Sequence, residues 1–168
     1  MKIITACESN IIEALFIIKS AYDEDNLFQN SWRPPMPDYN ELKQEMEHNQ
    51  LYLISEQMIS IGTFSFTTKI PDSYNKINWV DKEGKTLFIK RIAIAPNWLN
   101  ENIVRLLKEF LHNYAKENNY SSIKFYSLST KENIQVFYKN LGFNLCEPLH
   151  PDELDSPLKY YETLSHNL

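Results

Sequence analysis

Side chains that could exchange a proton with a substrate lie near the ends of predicted strands. Glu56, His150 and Glu162 occupy such positions, and a carboxylate or an imidazole can act there as a general base. Each is more simply interpreted as a surface residue, so the sequence alone does not name a base. Three aromatic residues of predicted loops could either border a binding cleft or cover the core: Trp32, Tyr74 and Trp79.

Several common catalytic and metal-binding patterns are missing. Cys7 and Cys146 are the only cysteines, no CxxC pair occurs, and the 4 histidines are not clustered, which argues against a disulfide framework or a zinc module. The sequence has no GxSxG, P-loop or GxGxxG motif and only 3 glycines. We therefore expect no metal, and the cysteine usage fits a reducing cytosol.

Length and charge narrow the function classes further. A chain of 168 residues with 43% hydrophobic content predicts one folded domain spanning 1–168. The net charge is −5 and no block of five or six like charges occurs, which argues against nucleic-acid binding. Glu8, Glu13 and Lys19 interrupt the apolar N-terminal stretch, so we expect neither a signal peptide nor a membrane span.

The N-terminal part predicts a strand, KIITA, followed by two helices. Ser9 or Asn10 is the expected N-cap of the first helix. Its predicted buried stripe comprises Ile11, Leu15, Ile18 and Tyr22, widened by Ile12 and Phe16. Residues 24–37 contain three prolines and predict a loop. Asp38 is then expected to cap a helix held by Leu42 and Met46, with its charged remainder in solvent.

The middle of the chain predicts three strands. Residues 51–56 and 59–69 are separated only by Gln57 and Met58, the spacing of an antiparallel hairpin. The isoleucine-rich run KTLFIKRIAIAPN, ended by Pro96, predicts the central strand.

A helix in NENIVRLLKEFLHNYAKENN comes next, and its predicted stripe comprises Ile103, Leu107, Phe110 and Tyr114, with Leu106 and Leu111 beside it. A strand at 122–129 and a helix in KENIQVFYKNLG follow, with Gly142 as the C′ residue. FNLCEPL and LKYYETL are the last two strand candidates. Helices between late strands predict parallel crossovers within an otherwise antiparallel sheet, so the fold class is mixed α/β or α+β.

From these segments the sequence resembles the GNAT superfamily of N-acetyltransferases over roughly residues 2–164. RIAIAPNW at 91–98 resembles the end of the family's fourth strand, and NIQVFYKNLGF at 133–143 resembles its Asn-x-x-x-Phe/Leu-Tyr-x-x-x-Gly-Phe helix. SWRPPMPDYNELKQEMEHNQLYLI resembles, less specifically, the family's loop, helix and second strand. The resemblance implies a mostly antiparallel sheet of six to seven strands with about four helices on its two faces.

The resemblance also implies acetyl-CoA as cosubstrate. Ile92, Ala93 and Ile94 would hold the pantetheine arm as an added strand, although core packing explains these residues equally well. Backbone amides of the loop that opens the next helix would hold the pyrophosphate. The matching residues are Leu99, Asn100, Glu101, Asn102, Ile103 and Val104, where asparagine replaces both loop glycines of the family pattern Gln/Arg-x-x-Gly-x-Gly/Ala.

The 133–143 segment would supply the remaining roles that the resemblance implies. Tyr138 would protonate the departing thiolate, and Asn133 would bond the pantetheine arm or act as an N-cap, with Phe137 also at the cofactor. Three basic residues could meet the 3′-phosphate, or could be ordinary surface charges: Arg105, Lys108 and Lys131.

The predicted activity is therefore direct transfer of an acetyl group from acetyl-CoA to a primary amine of a small molecule or peptide. The alternative is a catalytically silent GNAT-like domain that binds CoA or a protein partner, motivated by Asn100 and Asn102. We expect a cytoplasmic protein without nucleic-acid or membrane partners, and leave a homodimer open.

Overall fold

The computed structural model describes residues 1–22, 36–67, 69–70, 72–128, 132–149 and 158–167. Its elements follow one another as β1 (Lys2–Thr5), α1 (Ile11–Tyr22), α2 (Tyr39–Glu47), β2 (Leu51–Glu56), β3 (Ile59–Thr67), β4 (Thr86–Ile94), α3 (Glu101–Glu117), β5 (Ser122–Ser127), α4 (Glu132–Asn140), β6 (Asn144–Cys146) and β7 (Lys159–Leu164). This order confirms the one predicted from the sequence. Of the predicted loop at 24–37, residues 24–35 lie outside the described part of the chain.

All seven strands form one sheet in the order β1-β2-β3-β4-β5-β7-β6. The pair β4 and β5 is parallel, and the other neighbouring pairs are antiparallel. β4 is the middle strand, as predicted. None of the described helices is long and apolar enough to cross a lipid bilayer. The cytoplasmic location and the single-domain organisation stay predictions.

The hairpin between β2 and β3 closes through Gln57 and Met58, which both have positive φ, 47° and 69°. Two consecutive residues with positive φ suit the right-handed twist of a two-residue hairpin turn. The predicted antiparallel pairing of these strands is confirmed.

The first helix differs from its prediction. Ile12 and Phe16 were expected to widen its buried stripe, but they are 64% and 72% exposed. Ala14 and Ala21 are fully buried instead, because small side chains let this helix approach its neighbours closely. The expected cap also differs, since Cys7 is the N-cap of a short 3₁₀ turn that leads directly into α1.

The second helix begins where predicted, with the Asp38 side chain accepting a hydrogen bond from the Glu41 amide at 2.8 Å. Leu42 is fully buried, as expected. Glu45 was assigned to a solvated face but is only 5% exposed. That assignment was wrong because a basic residue of the central strand neutralises the Glu45 carboxylate, as described below.

The C-terminal half of α3 covers β2 and β3 with aromatic rings. The Phe110 ring lies 5.3 Å from Tyr52 and 5.4 Å from Phe64, between ring centroids. The next helix, α4, is terminated by Gly142 beyond its last turn, and the φ of this glycine is 96°. The Phe143 amide donates to the Tyr138 carbonyl at 3.0 Å, closing a Schellman motif that confirms Gly142 as the C′ residue.

Candidate active site

The parallel strands β4 and β5 separate after three residue pairs, ending with Phe88 opposite Lys124. Beyond that point β4 continues to Ile94 and β5 to Ser127. No strand within the described ranges pairs with β4 residues 89–94 on the side that faces β5. An unpaired strand edge offers N–H and C=O groups to an extended ligand.

A β-bulge in β4 accounts for this separation. Ser65 of β3 pairs with Arg91 and Phe66 pairs with Ile89, so Lys90 has no partner in that register. A bulge bends its strand and increases the local twist. The bend begins where β4 leaves β5, and it lets the adjacent side chains of Lys90 and Arg91 reach the same helix, α2.

One hydrogen bond shows to which side of β4 each backbone amide points. The Ala95 amide donates to the Ile61 carbonyl of β3 at 2.8 Å. Successive residues of a strand point their amides to opposite sides. The amides of Ile92 and Ile94 therefore point toward the open edge, whereas that of Ala93 points toward β3.

The two strands and α4 enclose a narrow cleft. Its lining comprises Ile89, Lys90, Arg91 and Ile92 from β4, Phe125 and Tyr126 from β5, and Tyr138 from α4. Tyr138 is 3% exposed, and its ring centroid lies 4.6 Å from Phe125 and 4.9 Å from Tyr161. The one phenol that the sequence predicted to be catalytic thus lines the cleft at the open edge.

The loop before α3 keeps its first amides occupied. Asn100 is the N-cap of α3, and its Oδ1 accepts hydrogen bonds from the amides of Asn102 at 3.0 Å and Ile103 at 3.1 Å. Asn97 adopts positive φ, 67°, whereas the φ of Asn100 is −149°. Asparagine therefore serves in the loop as a helix cap at 100 and as a turn residue at 97.

The other predicted loop residues divide by burial. Glu101 and Asn102 are exposed, and Leu99 is 38% exposed. Ile103 is fully buried in the main core, and Val104 is half-buried against it. Ile103 can therefore take part in binding only through its backbone.

The predicted cofactor residues of α4 and the three predicted phosphate-binding basic residues do not form one site within the described part of the chain. Asn133 is the exposed second residue of α4, so the N-cap alternative is not what the structure shows. Phe137 is 4% exposed in the main core. Arg105 donates to the Asn102 side chain at 3.2 Å. Lys108 is half-buried on α3, and Lys131 lies outside the described residues.

Two of the three candidate bases, Glu56 and Glu162, do not line the cleft. Glu56 pairs with the N-terminal ammonium at 2.5 Å. Glu162 is 2% exposed; its two oxygens accept from the amides of Val80 at 2.7 Å and Asp81 at 3.1 Å, with Lys124 Nζ at 3.6 Å. Both carboxylates are thus engaged elsewhere, and His150 lies outside the described residues.

Two of the three loop aromatics belong to a second core and also line a pocket beside it. Tyr74 and Trp79 are 3% and 8% exposed, and the Trp79 indole donates to the Tyr74 carbonyl at 2.7 Å. They pack with Phe88 and Tyr160. The pocket has a volume of about 420 Å³ and is also lined by Lys124, so both interpretations offered by the sequence stay open for Tyr74 and Trp79. Trp32 lies outside the described part.

Comparison with known proteins gives a fold but no match at the level of sequence. No protein-family model matches the chain, and no curated protein is significantly similar to it in sequence. A GNAT-family acetyltransferase of Listeria monocytogenes superposes with a TM-score of 0.69 at 13% identity, covering 96% of this chain and 93% of that one. The chain has the GNAT fold.

Two further structures with the GNAT fold's arrangement are similar over nearly the whole chain. A ribosomal-protein-alanine N-acetyltransferase of Brucella melitensis has a TM-score of 0.68 at 14% identity, covering 98% of this chain and 99% of that one. N-acetylglutamate synthase of Neisseria gonorrhoeae, complexed with coenzyme A and N-acetyl-glutamate, has a TM-score of 0.68 at 13% identity and covers 98% of this chain but 35% of that one.

Sequence reasoning missed an ion-pair cluster beside the cleft of this GNAT fold. Lys90 and Arg91 of β4 contact Glu41 and Glu45 of α2. Burial raises the pKa of Glu41, but hydrogen bonds from Lys90 and Arg91 outweigh it and leave that pKa below its ordinary value. Two adjacent charges inside the apolar run FIKRIAI were the available signal, because they break strand alternation where the bulge occurs.

Proposed function

We propose that this protein is an acetyl-CoA-dependent N-acetyltransferase that moves an acetyl group directly to a primary amine of a small molecule or peptide. The observation that carries the proposal is the open β4 edge, with the Ile92 amide directed toward it and Tyr138 lining the same cleft. The GNAT fold adds support, since a structurally similar synthase is complexed with coenzyme A.

The described residues fit such a ligand in two places. The amides of Ile92 and Ile94, which point to the open edge, can pair with an extended pantetheine arm as a strand would. The N-terminus of α3 offers backbone amides to a diphosphate. There the Asn100 side chain occupies the amides of Asn102 and Ile103 in the manner of an anion, so it must rotate away when a phosphate binds.

Each group of the chain has a distinct role in this chemistry. Acetyl-CoA supplies the acetyl group as a thioester. The Ile92 amide, directed at the open edge, can donate to oxygen as negative charge develops on it. The Tyr138 hydroxyl holds a proton for a leaving thiolate. Because Glu56 and Glu162 are engaged elsewhere, we assign the proton of the acceptor amine to water.

Cofactor binding provides the first test. Ligand at 100 times its Kd adds about 2.7 kcal/mol to the free energy of unfolding, which raises the Tm of a domain this size by roughly 5 to 10 °C. Acetyl-CoA is expected to produce this rise, and a panel of primary amines is then screened for thiol release. An unchanged Tm at millimolar acetyl-CoA would remove the proposal.

One observation favours a second candidate, a catalytically silent domain. The Asn100 cap satisfies the two amides that a diphosphate would need. In a silent domain, acetyl-CoA would raise the Tm little and no amine would release thiol. Thiol release that is lost in Tyr138→Phe would support the acetyltransferase over the silent domain.

A further inference from the structure

The bulge in β4 carries two adjacent cations that both contact one helix. Lys90 Nζ lies 2.5 Å from Glu41 Oε1 and 2.7 Å from Glu45 Oε1. Arg91 reaches the same two oxygens, with Nη1 at 3.0 Å from Glu41 and Nη2 at 2.5 Å from Glu45. Each carboxylate is thus shared by both cations, so neither cation can move without breaking contacts to two residues.

Burial makes this cluster different from an ordinary surface ion pair. The side chains of Arg91 and Glu45 are each 6% exposed. By contrast, Lys43 of α2 forms a separate pair with Glu8, and these side chains are 40% and 65% exposed. Solvent screens exposed pairs strongly and buried pairs much less. The Arg91–Glu45 contact therefore constrains the geometry at the bulge.

Helix α2 contacts the main core through two apolar residues, the fully buried Leu42 and the partly buried Met46. Its buried residues are Leu42 and Glu45. The ion-pair cluster adds a direct link between α2 and β4, and it is made at the residues that line the cleft, Lys90 and Arg91. Ile92, whose amide points to the open edge, follows Arg91 directly.

We propose that Glu41 and Glu45 are positioning residues for the pantetheine-binding edge of β4. They hold Lys90 and Arg91, and through them fix the bulge and the direction of the Ile92 amide. This inference rests on the proposed function, because the edge has this role only if the protein binds CoA. Neither glutamate is among the residues that line the cleft.

The test compares two ligands that differ only in the arm. CoA carries pantetheine, whereas 3′-phosphoadenosine 5′-diphosphate has the same nucleotide without it. Isothermal titration with the full chain measures both affinities for wild type, Glu45→Gln and Glu47→Gln. Glu47 is exposed on the same helix and lies outside the cluster, so it provides the matched control. We expect Glu45→Gln to weaken CoA at least tenfold while the nucleotide stays within twofold, and Glu47→Gln to change neither.

Equal loss of both ligands, or loss of neither, overturns the positioning role while leaving the proposed function intact. Wild-type protein that binds neither ligand overturns the proposed function itself. If Glu45→Gln does not fold, Glu41→Gln replaces it, because the Glu41 side chain is 39% exposed and tolerates the change better. A selective threefold loss of CoA affinity is expected for Glu41→Gln, and its absence overturns the inference.

Discussion

Tyr138 is the residue on which the proposed chemistry depends most directly. Its phenol lines the cleft at the open β4 edge. Tyr138→Phe removes the hydroxyl and keeps the ring that packs on Phe125, so we expect thiol release to fall about 100-fold, a typical contribution of a general acid. The Tm should change little. Stopped-time thiol assays with a saturating amine measure the effect.

Tyr161→Phe is the matched control for that substitution. Tyr161 is equally buried and lies beside Tyr138, but its hydroxyl has no hydrogen-bond partner within the described residues. Removing it should leave thiol release within threefold. Equal losses in the two variants would assign the effect to packing and remove the acid role from Tyr138.

Asn100 provides a second test at the scale of one side chain. Its Oδ1 accepts hydrogen bonds from two amides at the start of α3. Replacing an asparagine N-cap with alanine lowers the stability of a helix by about 1 kcal/mol, whereas replacing it with glycine costs only a few tenths of that. We expect Asn100→Gly to bind CoA about fivefold more tightly, because the amides no longer need to be released. Isothermal titration measures the change.

Asn97→Gly is the control, since Asn97 lies in the same loop and adopts positive φ without capping α3. It should leave CoA affinity unchanged. Weaker binding by Asn100→Gly would show that the Asn100 side chain contacts the ligand instead of competing with it.

At the scale of whole elements, local patterns predicted most of the fold and little of the site. Apolar periodicity located the helices and strands, and Gln57-Met58 and Gly142 marked their turns. Periodicity did not show that Phe16 is exposed, because the choice between two apolar faces of α1 is made by what packs on it. The burial of Glu45 was equally hidden, since its partner Arg91 is 46 residues away.

Strand pairing was the other limit. Alternation identified β6 and β7, yet β7 lies between β5 and β6 in the sheet, and no local signal fixes which strand is inserted. The bulge at Lys90 also depends on register with β3. The cleft results from these long-range pairings, so the sequence predicted Tyr138 and Ile92 but not Phe125 and Tyr126 of β5.

Glu162 links β7 to the segment that precedes β4. Its carboxylate accepts from the amides of Val80 and Asp81 and faces Lys124, which is 5% exposed. Removing one charge of a buried pair leaves the other uncompensated, typically at a cost of about 3 kcal/mol. We expect Glu162→Gln to lower the free energy of unfolding by about this amount, measured by urea denaturation.

The exposed Glu147→Gln should have no comparable effect. If Glu162 were instead the general base, the substitution would abolish the pH dependence of thiol release while the stability stayed near that of wild type. That result would contradict the structural role assigned here.

On the scale of the whole molecule, the described residues form two buried clusters joined by the central strand. Leu87 and Ile89 belong to the main core, whereas Phe88 between them belongs to the aromatic cluster of Tyr74, Trp79, Cys146 and Tyr160. Alternate residues of β4 thus serve opposite faces of the sheet. The Glu41 carboxylate of α2 pairs with Lys90 and Arg91 of this strand. Because protonation removes the charge of a carboxylate, the stability of the fold depends on pH.

Acid pH is therefore expected to weaken the fold through Glu41. Burial raises the pKa of its carboxyl group, but the hydrogen bonds from Lys90 and Arg91 outweigh that and hold the pKa below the ordinary 4.5. A lowered folded-state pKa contributes stability above the unfolded-state value, and that contribution is lost as pH falls through the folded-state value. The difference in Tm between wild type and Glu41→Gln should consequently shrink between about pH 5 and pH 3, as measured by thermal unfolding in buffers of constant ionic strength.

The corresponding difference for the exposed Glu47→Gln should stay constant over the same range. A Glu41→Gln difference that grows toward acid would mean that the ion-pair cluster at the bulge does not stabilise the ionised carboxylate.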